Sequence, residues 1–245
     1  MKFDVITLFP EMIENYFNFS ILKRAKEGNI IDFDVHNPRD FSKLKHKRVD
    51  DTPYGGGDGM VIMCEPFIDA FNSFEKKADY KTILLSPQGV PFTHKLSVEF
   101  SKYEQLVLIC GHYEGFDERI RTELDTYEVS IGDFVLTGGE LPALCIIDSV
   151  TRNLDGALGK TTSSLTDTFA DGLLEYPQYT RPEIYKDKKV PEILLSGNHE
   201  KIALWRRKQQ MIRTKNKRPD LFRKFVQSCE NKIDKELIEE VLRGE

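Results

Sequence analysis

The sequence predicts an α/β domain built on a parallel sheet, followed by a small all-α domain. Two short, fully apolar runs, "TILLSP" (82–87) and "QLVLICG" (105–111), flank a helix-like segment, 93–103. That is the pattern of parallel strands covered on both faces. At about Gly159 the texture changes to Thr, Ser, Asp and Pro, and beyond residue 190 three helical segments follow that together are basic. The expected boundaries are 1–158 for the α/β domain, 159–190 for a linker and 191–245 for the helical domain.

The elements follow in order. "FDVITLF" reads as a buried strand ended by Pro10. Residues 10–28 place Met12, Ile13, Tyr16, Phe17, Ile21 and Leu22 at helical spacing, with Gly28 as the stop. "IIDFDVH" alternates like a strand. The polar stretch 37–60 is too long for a plain connection, and such loops carry function or move. "DERIRTELD" predicts a short helix, "YEVSIG" a strand and "GELPALCIIDSVTRNLDGAL" a long buried helix. Alternation of strands and helices gives the α/β class. "HEKIALWRRKQQMIRT", "RPDLFRKFVQSCE" and "DKELIEEVLRG" form the helical part, in which Trp205 is expected to pack rather than stack on a base.

Composition is that of an ordinary globular protein, 40% hydrophobic and 31% charged. The start lacks a signal peptide and no stretch approaches the roughly 20 apolar residues that span a bilayer, so a cytoplasmic location without a membrane partner is expected. Cys64, Cys110, Cys145 and Cys229 are scattered, which suits reduced thiols better than a disulfide framework or a zinc site. The net charge of −5 hides an asymmetry: residues 201–245 carry 13 Lys/Arg against 7 Asp/Glu, or +6, leaving −11 for the remainder. A solvated helix face is the common reading of a charge run; the asymmetry points instead to a polyanion as partner.

Three apolar strands end in glycine-bearing turns: "LSPQG" (85–89), "CGHYEG" (110–115) and "SIGDFVLTGG" (130–139). One such loop merely turns the chain. Three of them outside the carboxyl ends of parallel strands suit a single pocket. In the third, Ile131, Phe134, Val135 and Leu136 favour burial, and clustered glycines imply a close approach to the backbone. The ligand is no P-loop phosphate: "LDGALGKT" has Leu154 where that motif needs glycine, and a helix precedes it. A Cys110/His112 metal pair lacks partners at metal spacing, so no metal ligands are assigned. The loop "KLKHKRVDDTPYGGGDGM" joins a basic half, with Lys47 and Arg48 suited to phosphates, to a glycine-rich half.

Together, "LFPEM", "NPRDF", "VDDTPYGGGDGM", "LSPQG", "CGHYEGFDERI", "SIGDFVLTGGELPA", "DSVTR", "FADGLLEYPQYTRPE" and "RTKNKRPDL" resemble the bacterial tRNA (guanine-N1)-methyltransferase family, which acts on guanosine 37. The resemblance runs essentially end to end. It implies the SPOUT fold, in which a parallel sheet contains a deep trefoil knot, an exception to the rule against threaded loops. It implies S-adenosyl-L-methionine (S-adenosylmethionine), bent inside the knot, as cofactor. The cofactor set it implies is Leu84, Ser86, Pro87, Gln88 and Gly89; Gly111, Tyr113, Glu114 and Gly115; Ser130, Ile131, Gly132, Asp133, Phe134, Val135, Leu136, Gly138, Gly139 and Pro142. Two positions depart from some relatives, which carry tyrosine where this chain has Leu84 and arginine where it has His112.

By the same resemblance, Asp167 is the general base that removes the guanine N-1 proton, with Asp171 as a rival, and Arg152 stabilises the charge that develops. Lys47, Arg48, Arg206, Lys208 and Arg213 are expected to bind tRNA. The resemblance also implies a homodimer with a composite active site, the knot from one subunit and the linker from the other. Mg²⁺ stands only as a candidate cofactor. The competing classes are a related SPOUT enzyme with another RNA target and an RNA-binding protein without catalysis.

Overall fold

The computed structural model describes residues 1–158 and 168–244. The chain divides into two compact units, Met1–Thr161 and Thr162–Glu245.

The first unit holds a five-stranded sheet of β1 (Lys2–Ile6), β2 (Asp32–His36), β5 (Tyr80–Pro91), β6 (Gln105–Ile109) and β7 (Tyr127–Ser130), in the order β2-β1-β6-β5-β7. Every pairing in it is parallel. Successive side chains on a strand point to opposite faces, so each apolar run feeds two cores. Phe3, Val5, Ile83, Leu85, Leu106 and Leu108 fill one. Ile6, Leu84, Val107 and Ile109 fill the other. The first core is closed by α1 (Pro10–Tyr16), α2 (Ser20–Glu27), α4 (His94–Phe100) and α6 (Glu140–Thr151), and the second by α3 (Cys64–Asn72) and α5 (Arg119–Glu123).

Three elements differ from the sequence reading. The helix expected over 10–28 is two, because Ser20 takes a left-handed φ of 51° and redirects the chain. Helix α6 stops at Thr151, short of the expected end at residue 158. Helix α3 was not expected at all, although Phe67, Ala70 and Phe71 form its buried face. The polar stretch 37–60 contains two short 3-10 turns and β3 (Asp50–Asp51), which pairs antiparallel with β4 (Val61–Ile62).

Strand β5 is irregular where it matters. Val129 of β7 faces both Leu85 and Val90, so residues 86–89 are pushed out of the ladder. A β-carbon on Gly89 would lie 2.4 Å from the Val129 nitrogen, which is why the excursion closes on glycine.

In the second unit, β8 (Ile184–Tyr185) and β9 (Lys188–Lys189) form a hairpin, followed by α7 (Glu192–Leu195), α8 (His199–Lys217), α9 (Pro219–Ser228) and α10 (Lys232–Arg243). Asn198 and Asn231 cap α8 and α10 by accepting from the amides of Lys201 and Asp234. Leu173, Met211, Phe222, Leu237, Ile238 and Val241 form its core. Leu173 is fully buried there, so the described part of the segment read as linker packs into this unit. Among the described residues, no helix is long and apolar enough to cross a membrane.

Candidate active site

A cleft of about 300 Å³ opens beyond the carboxyl ends of β5, β6 and β7. The three glycine-bearing loops build it. Ser86, Pro87 and Gln88 come from the excursion of β5; Gly111, Tyr113, Glu114 and Gly115 from the turn after β6; Ser130, Ile131, Gly132, Phe134, Val135, Leu136, Gly138 and Gly139 from the loop after β7; and Pro142 from the first turn of α6. Leu85, His112, Phe116, Arg121, Val129 and Thr137 line it as well. Of these, His112 and Phe116 share a motif with the expected residues and were within reach of sequence reasoning. Arg121 comes from α5, which nothing in the sequence tied to the turns.

Three expected residues do not line the cleft. Leu84 points to the opposite face of the sheet and is buried in the second core. Gly89 is spent on the close approach to β7. Asp133 is exposed beside the cleft.

The glycines answer to the chain itself. A β-carbon on Gly139 would lie 2.7 Å from the Cys110 Cα, and the Gly139 amide donates to the Gly111 carbonyl at 2.9 Å. One on Gly138 would meet the His112 ring at 2.3 Å, and one on Gly111 the Phe116 ring at 2.5 Å. The segment leaving β7 is thus pressed against the end of β6. The expectation of burial for its apolar residues does not hold: Phe134 is 54% exposed, Val135 83% and Leu136 39%. With the backbone fixed by the glycines, these side chains face the open cleft and its rim.

Behind His112 lies a buried carboxylate. Glu140, in the first turn of α6, is 1% exposed. Its Oε2 stands 2.8 Å from His112 Nε2, and its Oε1 accepts from the Thr7 hydroxyl. A carboxylate suits the positive end of the helix dipole, and both oxygens are satisfied. The pair orients the imidazole, which packs on the Phe9 ring at 4.6 Å. Burial pushes the neighbouring Cys110 thiol well above its usual range, so it stays protonated.

The loop 37–60 also reaches this site. The Glu114 amide donates to the Met60 carbonyl at 3.0 Å, and a β-carbon on Gly59 would meet Glu114 Cγ at 2.6 Å. Of its two expected RNA ligands, Lys47 pairs with Asp40 and Arg48 with Asp51, both at 2.9 Å and both exposed.

The remaining expected residues lie apart from the cleft. Asp167 falls outside the described residues. Arg152 caps the C-terminal end of α6, whose first residues line the cleft; twelve residues at 1.5 Å each put it about 18 Å away along the helix. Asp171 pairs with Arg207, which also makes a two-pronged contact with Asp234 at 2.8 and 2.9 Å. On α8, Arg206 is exposed over the Tyr176 ring at 4.8 Å, Lys208 pairs with Glu240 at 2.7 Å and Arg213 donates to the Glu175 carbonyl at 3.2 Å. Among the described residues, no group of three His, Cys, Asp or Glu side chains is placed to hold a metal ion.

The profile of the family described as tRNA (Guanine-1)-methyltransferase TrmD matches residues 1–224. The chain belongs to that family. A tRNA (guanine-N(1)-)-methyltransferase of Staphylococcus aureus strain JH9 is 52% identical over 232 residues, covering 95% of both chains. The enzyme of the same name from strain Newman is 51% identical over 239 residues, covering 98% of this chain and 96% of its own. The parallel sheet is therefore that of a methyltransferase family.

Proposed function

We propose that this protein transfers a methyl group from S-adenosylmethionine to N-1 of guanosine 37 in tRNA. The observation that carries the reading is the convergence of "LSPQG", "CGHYEG" and "SIGDFVLTGG" on one cleft. The cleft suits the cofactor: backbone amides and carbonyls held bare by glycine can read a base and ribose, and the exposed Phe134 and Leu136 give an apolar wall. Glu114 and Tyr113 also line it and would meet the amino-acid portion. When bound, the cofactor supplies an electrophilic methyl group. The chain's own residues align the guanine, exclude water and take its proton. Asp167 accepts the N-1 proton, and Arg152 offsets the negative charge left on the base.

The knot of the SPOUT fold belongs to the same proposal. The close passage of 138–139 against 110–112 supports it. So does a homodimer with composite sites. Arg152 stands at the opposite end of α6 from the residues that line the cleft of its own chain, which supports its supply by a second copy. An apolar face suits the contact: Phe9, Met12, Tyr16 and Phe19 around α1 and Leu141 on α6 are all exposed, and the Tyr16 hydroxyl ties the two helices by donating to Asp148. Residues 191–245 are read as the helical tRNA-binding domain. Mg²⁺ has no dedicated cage among the described residues and remains a candidate only. A cytoplasmic location follows from the substrate.

The test is incubation with labelled S-adenosylmethionine and an unmodified tRNA transcript, with mapping of the product base. A methyl on N-1 of guanosine 37 is expected. Cofactor binding with a methyl on another base, or tRNA binding with no transfer, would replace this reading by one of the two competing classes.

A further inference from the structure

The second unit carries a cavity of its own, about 430 Å³, whose lining includes one residue expected to bind tRNA, Arg206. Its composition is particular. Tyr176 and Tyr179 supply two aromatic rings, and the guanidinium of Arg206 lies 4.8 Å from the centroid of the first. Arg181 adds a second guanidinium, and Leu194 and Ile202 form an apolar wall. Tyr179 is 49% exposed, so its ring is available to a ligand. Glu183 is the acidic residue in the lining, set against two arginines.

Planar rings beside planar cations are surfaces on which a nucleobase stacks, and a guanidinium at the rim meets the adjoining phosphate. Proteins read RNA chiefly through unstacked bases held in this way. An apolar protein segment would use the Leu194 wall but has no use for two guanidiniums. We propose that this cavity is a second RNA subsite, which takes one unstacked nucleobase of the tRNA between Tyr179 and the Arg206–Tyr176 pair, with Arg181 on its phosphate. The proposal rests on the reading of tRNA as substrate, and extends it to a nucleotide other than the one methylated.

The experiment uses the full chain and unmodified tRNA transcripts, including a set that each carry one abasic position. Affinity is measured against salt for the unsubstituted protein and for Tyr179→Ala, Tyr179→Phe and Arg181→Ala, with melting curves as the folding control. Stacking is worth roughly a 5- to 150-fold change in affinity per base, so Tyr179→Ala should lose that much with an unchanged salt slope. Tyr179→Phe should bind as the unsubstituted protein does, and Arg181→Ala should lower the slope by about one. One abasic position should cost the unsubstituted protein as much as Tyr179→Ala does, and cost Tyr179→Ala nothing more. If Tyr179→Ala melts early, Tyr179→Leu, which keeps the bulk but not the ring, replaces it. Unchanged affinity in the ring-less variant, or losses that add at every abasic position, overturn the subsite while methyl transfer to tRNA continues. Absence of any tRNA binding by the unsubstituted protein overturns both this inference and the function it rests on.

Discussion

Of the two carboxylates weighed as the base, Asp171 has a structural partner within its own unit. Asp171 neutralises Arg207, which also holds Asp234, so its charge already has a structural partner. Removing one partner of such a part-buried pair leaves the other charge poorly compensated. Asp171→Asn should therefore lower the melting temperature of the second unit and reduce turnover modestly. Asp167→Asn should leave melting and both affinities in place and lower single-turnover methyl transfer by about 10²- to 10⁴-fold, the range for loss of a general base. A larger kinetic loss in Asp171→Asn would move the base to that residue. Glu140 makes a separate case. Glu140→Ala would strand the Thr7 hydroxyl and the His112 imidazole, at a cost of about 1–3 kcal/mol read by urea unfolding.

At the scale of elements, the glycine turns join folding and binding. Gly139 faces backbone, the Cys110 Cα at 2.7 Å, which cannot move without shifting β6. Gly111 faces the edge of the Phe116 ring at 2.5 Å, and that ring can swing into the cleft it lines. Gly139→Ala should therefore unfold the first unit at lower temperature, whereas Gly111→Ala should keep the fold and lose cofactor affinity in a titration. Equal melting temperatures for the two would contradict this division.

The same residues show what the sequence could reveal. Apolar runs of strand length announced the parallel sheet, because a strand buried on both faces has no polar alternation to confuse it. The nine residues of α3 gave too short a period to stand out, and the break at Ser20 depends on one φ angle that periodicity does not encode. Clustered glycines marked the cleft, but not that the chain itself is their neighbour. For Phe134, Val135 and Leu136, hydrophobicity argued for burial, whereas the glycine-fixed backbone leaves them exposed at the cleft. Basic residues of α8 read as one RNA surface, yet Lys208 and Arg213 are tied to Glu240 and the Glu175 carbonyl within the unit. Only the environment of each cation separates a ligand from a strut.

For the whole molecule, the proposed dimer raises the question of which copy serves which cleft. The exposed face of α1 and α6 includes Cys145, exposed in the single chain, with its thiol raised by partial burial and by Asp148. If that face joins two copies, Cys145 should resist alkylation at concentrations where the protein is dimeric and react on dilution, while Cys110 resists at both. Catalysis provides the sharper test. Asp167→Asn keeps an intact cleft but lacks the base, and Gly111→Val drives Phe116 into the cleft but keeps the base. Neither homodimer should transfer a methyl group. In a mixed dimer, the cleft of the first variant meets Asp167 of the second, so one of its two sites is whole. Random exchange at equal amounts makes half the dimers mixed, and activity should return to about a quarter of the unsubstituted level. With subunit exchange verified by mass, a mixture that stays inactive would place cleft and base in the same chain, and would require the segment around Asp167 to reach back to its own cleft.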